Sequence, residues 1–132
     1  MASRRLLIHT VDLFNYMGEI EDEATYQKTV IRHCYCPRSK GVVNQGQSAN
    51  DQAILFIFDC GTIAEDECGN PRTFLPYAEW ERAEDKSPYW TISDEGDDFF
   101  RVAGSPEKFR ITDFSHKQTG SRRMWHFEVN AK

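Results

Sequence analysis

The sequence has no apolar run that approaches the roughly 20 residues a membrane-spanning helix requires. The apolar stretch near its start, 6–8, is interrupted by His9 and Asp12, too early for the central region of a secretory signal. With a formal net charge of −5, the chain also lacks the basic excess needed for non-specific binding to nucleic acid or anionic membranes. These absences predict a protein that is made in the cytoplasm and has no membrane partner.

Recognisable catalytic motifs are missing as well. The sequence contains neither a P-loop nor the G-x-G-x-x-G and G-x-S-x-G patterns of dinucleotide-binding and hydrolase folds. Its acidic runs, at 19–23, 65–67 and 94–98, lack the spacing of a calcium loop and fall in predicted turns, where carboxylates are normally solvated. The four histidines are scattered along the chain. We therefore expect no catalytic residue, no enzymatic activity and no cofactor.

Cysteine occurs four times, but never with the C-x₂-C spacing of a structural zinc site. Cys34 and Cys36 form a C-x-C pattern, and Cys60 and Cys68 lie eight residues apart. Adjacent side chains of a strand point to opposite faces, so His33 and Cys34 are poorly placed to bind the same ion. Reduced structural thiols and no metal are expected, with zinc binding as the alternative.

Aromatic residues, at 13% of the chain and including nine Phe, favour strands, and the 39% of hydrophobic residues suffice for a core. Runs rich in β-branched and aromatic residues predict strands at 6–14, 26–35, 53–58, 89–92, 99–102, 109–114 and 124–129. A turn is expected at 15–24 and a single short helix at 76–85. Together these elements predict one mainly β domain over 1–132, either a small barrel or a twisted sandwich of six to seven short strands with long loops.

The run 53–58 is the most apolar in the sequence and predicts a central strand that is covered on both faces. Residues 124–129 instead alternate between apolar and polar, which is typical of a half-buried antiparallel strand. The side chains that we expect to be largely buried are Ile54, Phe56, Phe58, Ile92, Phe100, Ile111, Trp125, Phe127 and Val129.

The polar segment 38–51 has only Val42 and Val43 as apolar anchors, too little to compensate the entropy cost of ordering it. This composition predicts an interface that becomes ordered against a partner, with a tolerated surface insertion as the alternative. Basic side chains cluster in this segment and again before the last strand, where they would meet an acidic partner or DNA that passes nearby, with a role in surface solubility as the alternative. The predicted interface residues are Arg38, Lys40, Val42, Val43, Lys117, Arg122 and Arg123.

Several segments, taken together, resemble a group of small proteins encoded among the head and tail genes of tailed bacteriophages and prophages. The segments are 11–15 (Val-Asp-Leu-Phe-Asn), 26–31 (Tyr-Gln-Lys-Thr-Val-Ile), 53–58, 89–92 (Tyr-Trp-Thr-Ile) with Gly96 and Asp97 after it, and 120–132. The likeness is strongest at the end. That group tends to end with Gly-Ser, then His-Trp-Glu-Val and Gly-Lys, where this sequence has Gly-Ser, His-Phe-Glu-Val and Ala-Lys.

The resemblance implies a virion structural protein of the neck or tail, of the head–tail connector (stopper) or tail-terminator class. It further implies a β-barrel core with long loops, and a homo-oligomeric ring that contacts other head–tail, neck or tail proteins. Such a protein is made in the cytoplasm of the host bacterium and resides in the virion. The residues themselves leave two alternatives open: a small metal- or ligand-binding β-barrel or enzyme built on Cys34, Cys36 and a histidine, and a host-directed regulatory protein.

Overall fold

Ten strands and one α-helix form the part of the chain that the computed structural model describes, which comprises residues 8–39, 52–95 and 97–132. The strands are β1 (His9–Ile20), β2 (Glu23–Cys34), β3 (Arg38–Ser39), β4 (Gln52–Phe58), β5 (Ile63–Glu65), β6 (Thr73–Phe74), β7 (Tyr89–Trp90), β8 (Phe99–Val102), β9 (Phe109–Lys117) and β10 (His126–Ala131). The helix α1 spans Tyr77–Arg82, and a turn of 3₁₀-helix spans Arg122–Met124. The predicted mainly β class with one short helix is confirmed.

Eight of the strands form one antiparallel sheet in the order β3-β4-β10-β9-β8-β1-β2-β5, and β6 and β7 form a separate parallel pair. The sheet curls so far that Tyr35, directly after β2, pairs with Phe56 of β4 through backbone N–O distances of 3.1 and 2.7 Å. Pro37 follows and has no N–H to extend this ladder. A small barrel and a twisted sandwich were the two predicted architectures. The described strands do not form a closed barrel, and their arrangement agrees with a twisted, sandwich-like fold.

The core lies on one face of the curled sheet and is built from side chains at alternate positions along each strand. Its largest fully buried apolar side chains are Phe100, Phe109, Leu13, Ile31, Leu55, Ile92, Val11 and Val129. The predicted burial is confirmed for Ile92, Phe100, Ile111, Phe127 and Val129. The predicted alternation of the last strand is therefore correct.

The predicted burial is wrong for Ile54 and holds only in part for Phe56, Phe58 and Trp125. The inward side chains of β4 are Ala53, Leu55 and Ile57. Ile54, on the opposite face of β4, is therefore 40% exposed, and Phe56 and Phe58 are half-buried. Their rings pack on His126, at centroid distances of 5.8 and 5.3 Å, which covers that face in part. Trp125 precedes β10 and is half-buried as well.

The predicted turn at 15–24 is wrong for most of its length, because β1 continues to Ile20 and β2 begins at Glu23. The chain reverses at Glu21 and Asp22, whose φ angles of 53° and 65° are those of a two-residue hairpin turn. Asn15, whose residue type suggested a turn, is fully buried within β1.

The predicted helix at 76–85 is present but shorter. Pro76 lies at the N-cap of α1, where its missing N–H removes no bond within the helix. Ala83 already has an extended backbone, with φ −66° and ψ 129°, so the helix ends at Arg82. In the described part of the chain no helix combines the length and the apolar character needed to cross a membrane.

Candidate functional site

A cavity of about 340 Å³ opens where the end of β4, the β9–β10 connection and the β6–β7 pair meet. Its floor is aromatic and consists of Phe74, Trp90 and Phe127. Its rim is polar and includes Asp59, His116 and Arg122. Half of its lining residues are polar or charged, so a bound group would meet hydrogen-bonding side chains as well as apolar ones. We refer to this feature as the aromatic cavity.

Packing among its rings holds the floor of the aromatic cavity. The ring centroids of Phe74 and Phe127 are 4.6 Å apart, and Trp90 lies 5.0 Å from Phe74 and 6.0 Å from Phe127. Phe127 projects from the inward face of β10, and Leu75 N donates to Trp90 O over 2.9 Å, which keeps β6 beside β7. Trp90 and Phe127 are each 5% exposed, and His116 covers one face of the Phe127 ring, so the three rings form a rigid aromatic base beneath the polar rim.

The rim of the cavity contains a histidine that a carboxylate orients. His116 Nε2 lies 2.9 and 3.0 Å from the two carboxylate oxygens of Asp59, and the imidazole stacks on the Phe127 ring at a centroid distance of 4.0 Å. Both side chains are partly exposed, at 29% for His116 and 21% for Asp59. An imidazole held in this way can donate a hydrogen bond to a bound group, accept one from it, or transfer a proton.

Three of the predicted interface residues lie around the β9–β10 connection, and we call them the basic rim: Lys117, Arg122 and Arg123. Lys117, the last residue of β9, forms an ion pair with Glu128 at 3.8 Å. The guanidinium of Arg122 lies over the Trp125 ring, 5.9 Å from its centroid, and lines the aromatic cavity. Arg123 is exposed in the same 3₁₀ turn. The structure therefore places basic charge directly beside the cavity.

Among the remaining predicted interface residues, the structure describes the main chain of Arg38, which lies away from this site. The main chain of Arg38 pairs with Ala53 of β4, which places it at the opposite end of β4 from Asp59. Lys40, Val42 and Val43 lie outside the described residues.

The cysteines separate into two classes. Cys34 and Cys36 are buried, whereas Cys60 and Cys68 are exposed. Burial, followed by the charge of Cys36, raises the pKa of Cys34 to about 12, so its thiol is a poor nucleophile and a poor metal ligand at neutral pH. Among the described residues, no group of three or more His, Cys, Asp or Glu side chains could hold a metal ion.

The end of the β1–β2 hairpin is a second candidate site. It lies within the segment 15–24, for which the sequence predicts a turn. β8 pairs with β1 only from Val11 to Phe14, and β5 pairs with β2 only from Val30 to Arg32. Beyond Tyr16, the two strands of the hairpin therefore pair only with each other among the described strands. We call residues 17–24 the hairpin arm.

Apolar and acidic side chains are combined on the hairpin arm. Met17 is 50% exposed and Ile20 is 66% exposed. The acidic side chains are Glu19, Glu21, Asp22 and Glu23, and the arm contains no Lys or Arg. Pairing shifts register at Met17, a bulge that re-aims the strand, and Thr25 Oγ1 donates to Gly18 O over 2.9 Å. No local sequence signal identifies such an arm, because it depends on where β8 and β5 stop pairing.

A buried polar network anchors the base of the arm. Asp98 is only 2% exposed, and its carboxylate accepts hydrogen bonds from Tyr16 N at 2.7 Å, Asn15 Nδ2 at 2.9 Å and Ser93 N at 3.2 Å. Burial raises the pKa of Asp98 against the opposing effect of these donors. The expectation that the acidic run 94–98 is solvated is therefore wrong at Asp98, because its backbone leads into β8 on the inner side of the sheet.

A wider groove of about 680 Å³ runs between the hairpin and residues 84–87. Its cationic groups are already engaged by the fold: Arg72 Nε donates to Ser87 O over 2.9 Å, Lys86 Nζ donates to Ala83 O over 2.8 Å, and Lys28 Nζ lies 3.9 Å from Glu67. The aromatic cavity, where the Asp59–His116 pair and Arg122 lie beside three aromatic rings, is therefore the stronger candidate site.

A family model matches residues 6–132 and is described as a family of unknown function, DUF6751. The chain belongs to this family. No curated protein and no solved structure matched the chain. The matched range includes the residues of both the hairpin arm and the aromatic cavity.

Proposed function

We propose that this DUF6751 protein is a virion structural protein of a tailed phage or prophage, of the head–tail connector (stopper) or tail-terminator class. It acts by assembling into a ring with copies of itself and with other neck or tail proteins, not by catalysis. The proposal is supported by the resemblance of 11–15, 26–31, 53–58, 89–97 and 120–132 to small proteins of that gene neighbourhood. A mainly β fold with projecting elements is compatible with it.

The single observation that carries the assembly role is the exposure of Ile20 at the end of an arm that no other described strand supports. An apolar side chain in this position gains free energy when a partner covers it, at about 25 cal/mol per Å² of apolar surface removed from water. The arm is therefore better suited to contact between molecules than to stabilising its own chain.

Identical copies joined through two different surfaces form rings when the rotation closes and filaments when it does not. The hairpin arm is acidic, and the basic rim has the opposite charge, so the chain carries two unlike surfaces. A chain with two unlike surfaces can assemble head to tail into a ring of the kind proposed.

Mass spectrometry of purified particles tests the virion role. The protein should be detected in particles from the host that carries the gene, at a constant ratio to the portal or tail proteins. Its presence in the infected-cell lysate together with its absence from particles would contradict the proposal.

Sedimentation velocity of the purified protein tests assembly. The wild type should form a discrete oligomer as concentration rises, and Ile20→Ser should shift it towards monomer. Ile54→Ser, at an exposed apolar position on β4, is the matched control and should assemble as the wild type does.

Binding of a small ligand is a second candidate function, favoured by the Asp59–His116 pair above an aromatic floor. Thermal-shift measurements with a panel of aromatic acids and amines test it. A stabilising compound whose effect is lost in both His116→Gln and Asp59→Asn would establish this function, and no shift with any compound would argue against it.

A further inference from the structure

We propose that the aromatic cavity is the receptor for the hairpin arm of a neighbouring copy. This inference rests on the proposed ring assembly and deepens it by naming the two surfaces that meet. In the contact, Ile20 of one copy enters the cavity of the next, and the carboxylates of the arm lie against the basic rim. Each copy then donates one arm and receives one, which is a head-to-tail contact.

Charge is the first argument. Residues 17–24 contain four carboxylates and no basic residue, whereas residues 117–123 contain Lys117, Arg122 and Arg123 and no Asp or Glu. Lys117 is paired with Glu128 and Asp59 lies on the same rim, so Arg122 and Arg123 carry the positive charge that would meet the arm. The ion pairs of the described residues do not use the carboxylates of the arm, which leaves them available to a partner. Opposite potentials on two surfaces steer their encounter and fix their orientation.

Shape and polarity are the second argument. The arm ends in a two-residue turn, so Ile20 is carried at the tip of a narrow two-stranded projection. The cavity, at about 340 Å³, is large enough for a branched aliphatic side chain, and the half-buried Phe74 is the most exposed of the three rings at its floor. An aliphatic anchor in an aromatic pocket, surrounded by charged residues, is the usual organisation of a protein interface.

Preorganisation is the third argument. The arm is held at its base by the Asn15–Asp98 bond of 2.9 Å, and its strands pair up to Ile20 and Glu23. The cavity rim is likewise held, through the bond between Asp59 and His116. Because both surfaces are formed before contact, little further ordering is needed when they meet.

The native Cys60 makes a direct test available. It is exposed, follows Asp59 of the rim, and its Sγ lies 4.0 Å from the carbonyl oxygen of Arg122. In an Ile20→Cys variant the new thiol should lie near Cys60 of the next copy. Diamide, which is reduced as it oxidises two thiols to a disulfide, should then link the copies covalently.

The expected product is a ladder of dimers, trimers and larger species on a non-reducing denaturing gel, since each copy contributes one arm and one cavity. A symmetric contact would stop at the dimer. Adding Cys60→Ser to the Ile20→Cys variant should abolish the ladder, and Ile54→Cys should show no more cross-linking than the wild type. If the protein assembles but gives no specific ladder, this inference is overturned and ring assembly stands. If the wild type never assembles, the proposed function itself is overturned.

A charge exchange gives an independent readout that needs no cysteine. Glu21→Arg and Arg122→Glu should each weaken association on the order of tenfold, and combining them in one chain should restore most of it. If Arg122→Glu leaves association unchanged but lowers retention on DNA, the basic rim contacts DNA and not the arm.

Discussion

The side-chain amide of Asn15 donates to the carboxylate of Asp98 over 2.9 Å, although the two residues are 83 positions apart in the sequence and both are buried. The same amide donates to Thr91 O over 2.7 Å. The base of the hairpin arm in β1 is thereby joined to the segment that leads into β8. The orientation of the arm depends on this network as much as on strand pairing.

Replacing Asn15 by Ala should lower the free energy of unfolding by about 2–3 kcal/mol, because a buried carboxylate and a buried carbonyl each lose a donor. Urea denaturation measures the change. Asn130→Ala removes a bond to the exposed carboxylate of Asp113 and should cost less than about 1 kcal/mol. Equal losses in the two variants would mean that burial of the network contributes nothing.

Asp98 should affect how stability depends on pH. Its pKa is raised above 3.8 by burial, so the folded protein binds this proton more tightly than the unfolded chain does. The contribution of Asp98 to the free energy of unfolding therefore falls as pH rises from 3.8 through the folded pKa. Denaturation at several pH values between about 3.5 and 6 measures this contribution. The free energy of unfolding of the wild type minus that of Asp98→Asn should decrease as pH rises. A difference that increases with pH would contradict the assigned direction.

Cys34 should limit stability in alkali. The unfolded thiol ionises near 9.0 and the folded one near 12, so stabilisation that is present below pH 9 is lost as pH rises between these values. The loss amounts to at most about 1.4 kcal/mol per pH unit. Cys34→Ala should lack this component of the pH slope above pH 9, and Cys60→Ala, at an exposed thiol, should retain it. Equal slopes in all three proteins would show that Cys34 is accessible to solvent.

Phe127 and Trp125 should differ in their contribution to stability although they are two positions apart. Phe127 is buried and contacts Phe74 and Trp90, so Phe127→Ala should cost about 3–5 kcal/mol. Trp125 is half-buried before β10, so Trp125→Ala should cost only about 1–2 kcal/mol, less than its alternation with Phe127 suggested. A larger loss at Trp125 than at Phe127 would contradict this assignment and place the Trp125 side chain in the core ahead of Phe127.

Ile20 should contribute to assembly without contributing to folding. Its side chain is 66% exposed, so Ile20→Ser should change the free energy of unfolding by less than about 0.5 kcal/mol while weakening association. Denaturation of the dilute protein and sedimentation at high concentration separate the two effects. A large loss of stability in the dilute variant would assign Ile20 to the fold instead.

The local sequence was sufficient to predict features that lie within a single strand. Residues 99–102 are the strand that was predicted, and the alternation of the last strand correctly placed Phe127 and Val129 inward. A period of two is a property of a single strand, so it is readable without knowledge of its neighbours.

Only the tertiary structure decided which face of β4 meets the core, because six consecutive apolar residues carry no alternation. It likewise decided that Asn15 and the acidic residues after it extend a strand, because the pairing of β1 with β2 and the bond to Asp98 outweigh their preference for turns. The arm and the aromatic cavity exist because particular strands end where they do. Those end points depend on contacts between residues far apart in the chain, which no local pattern in the sequence encodes.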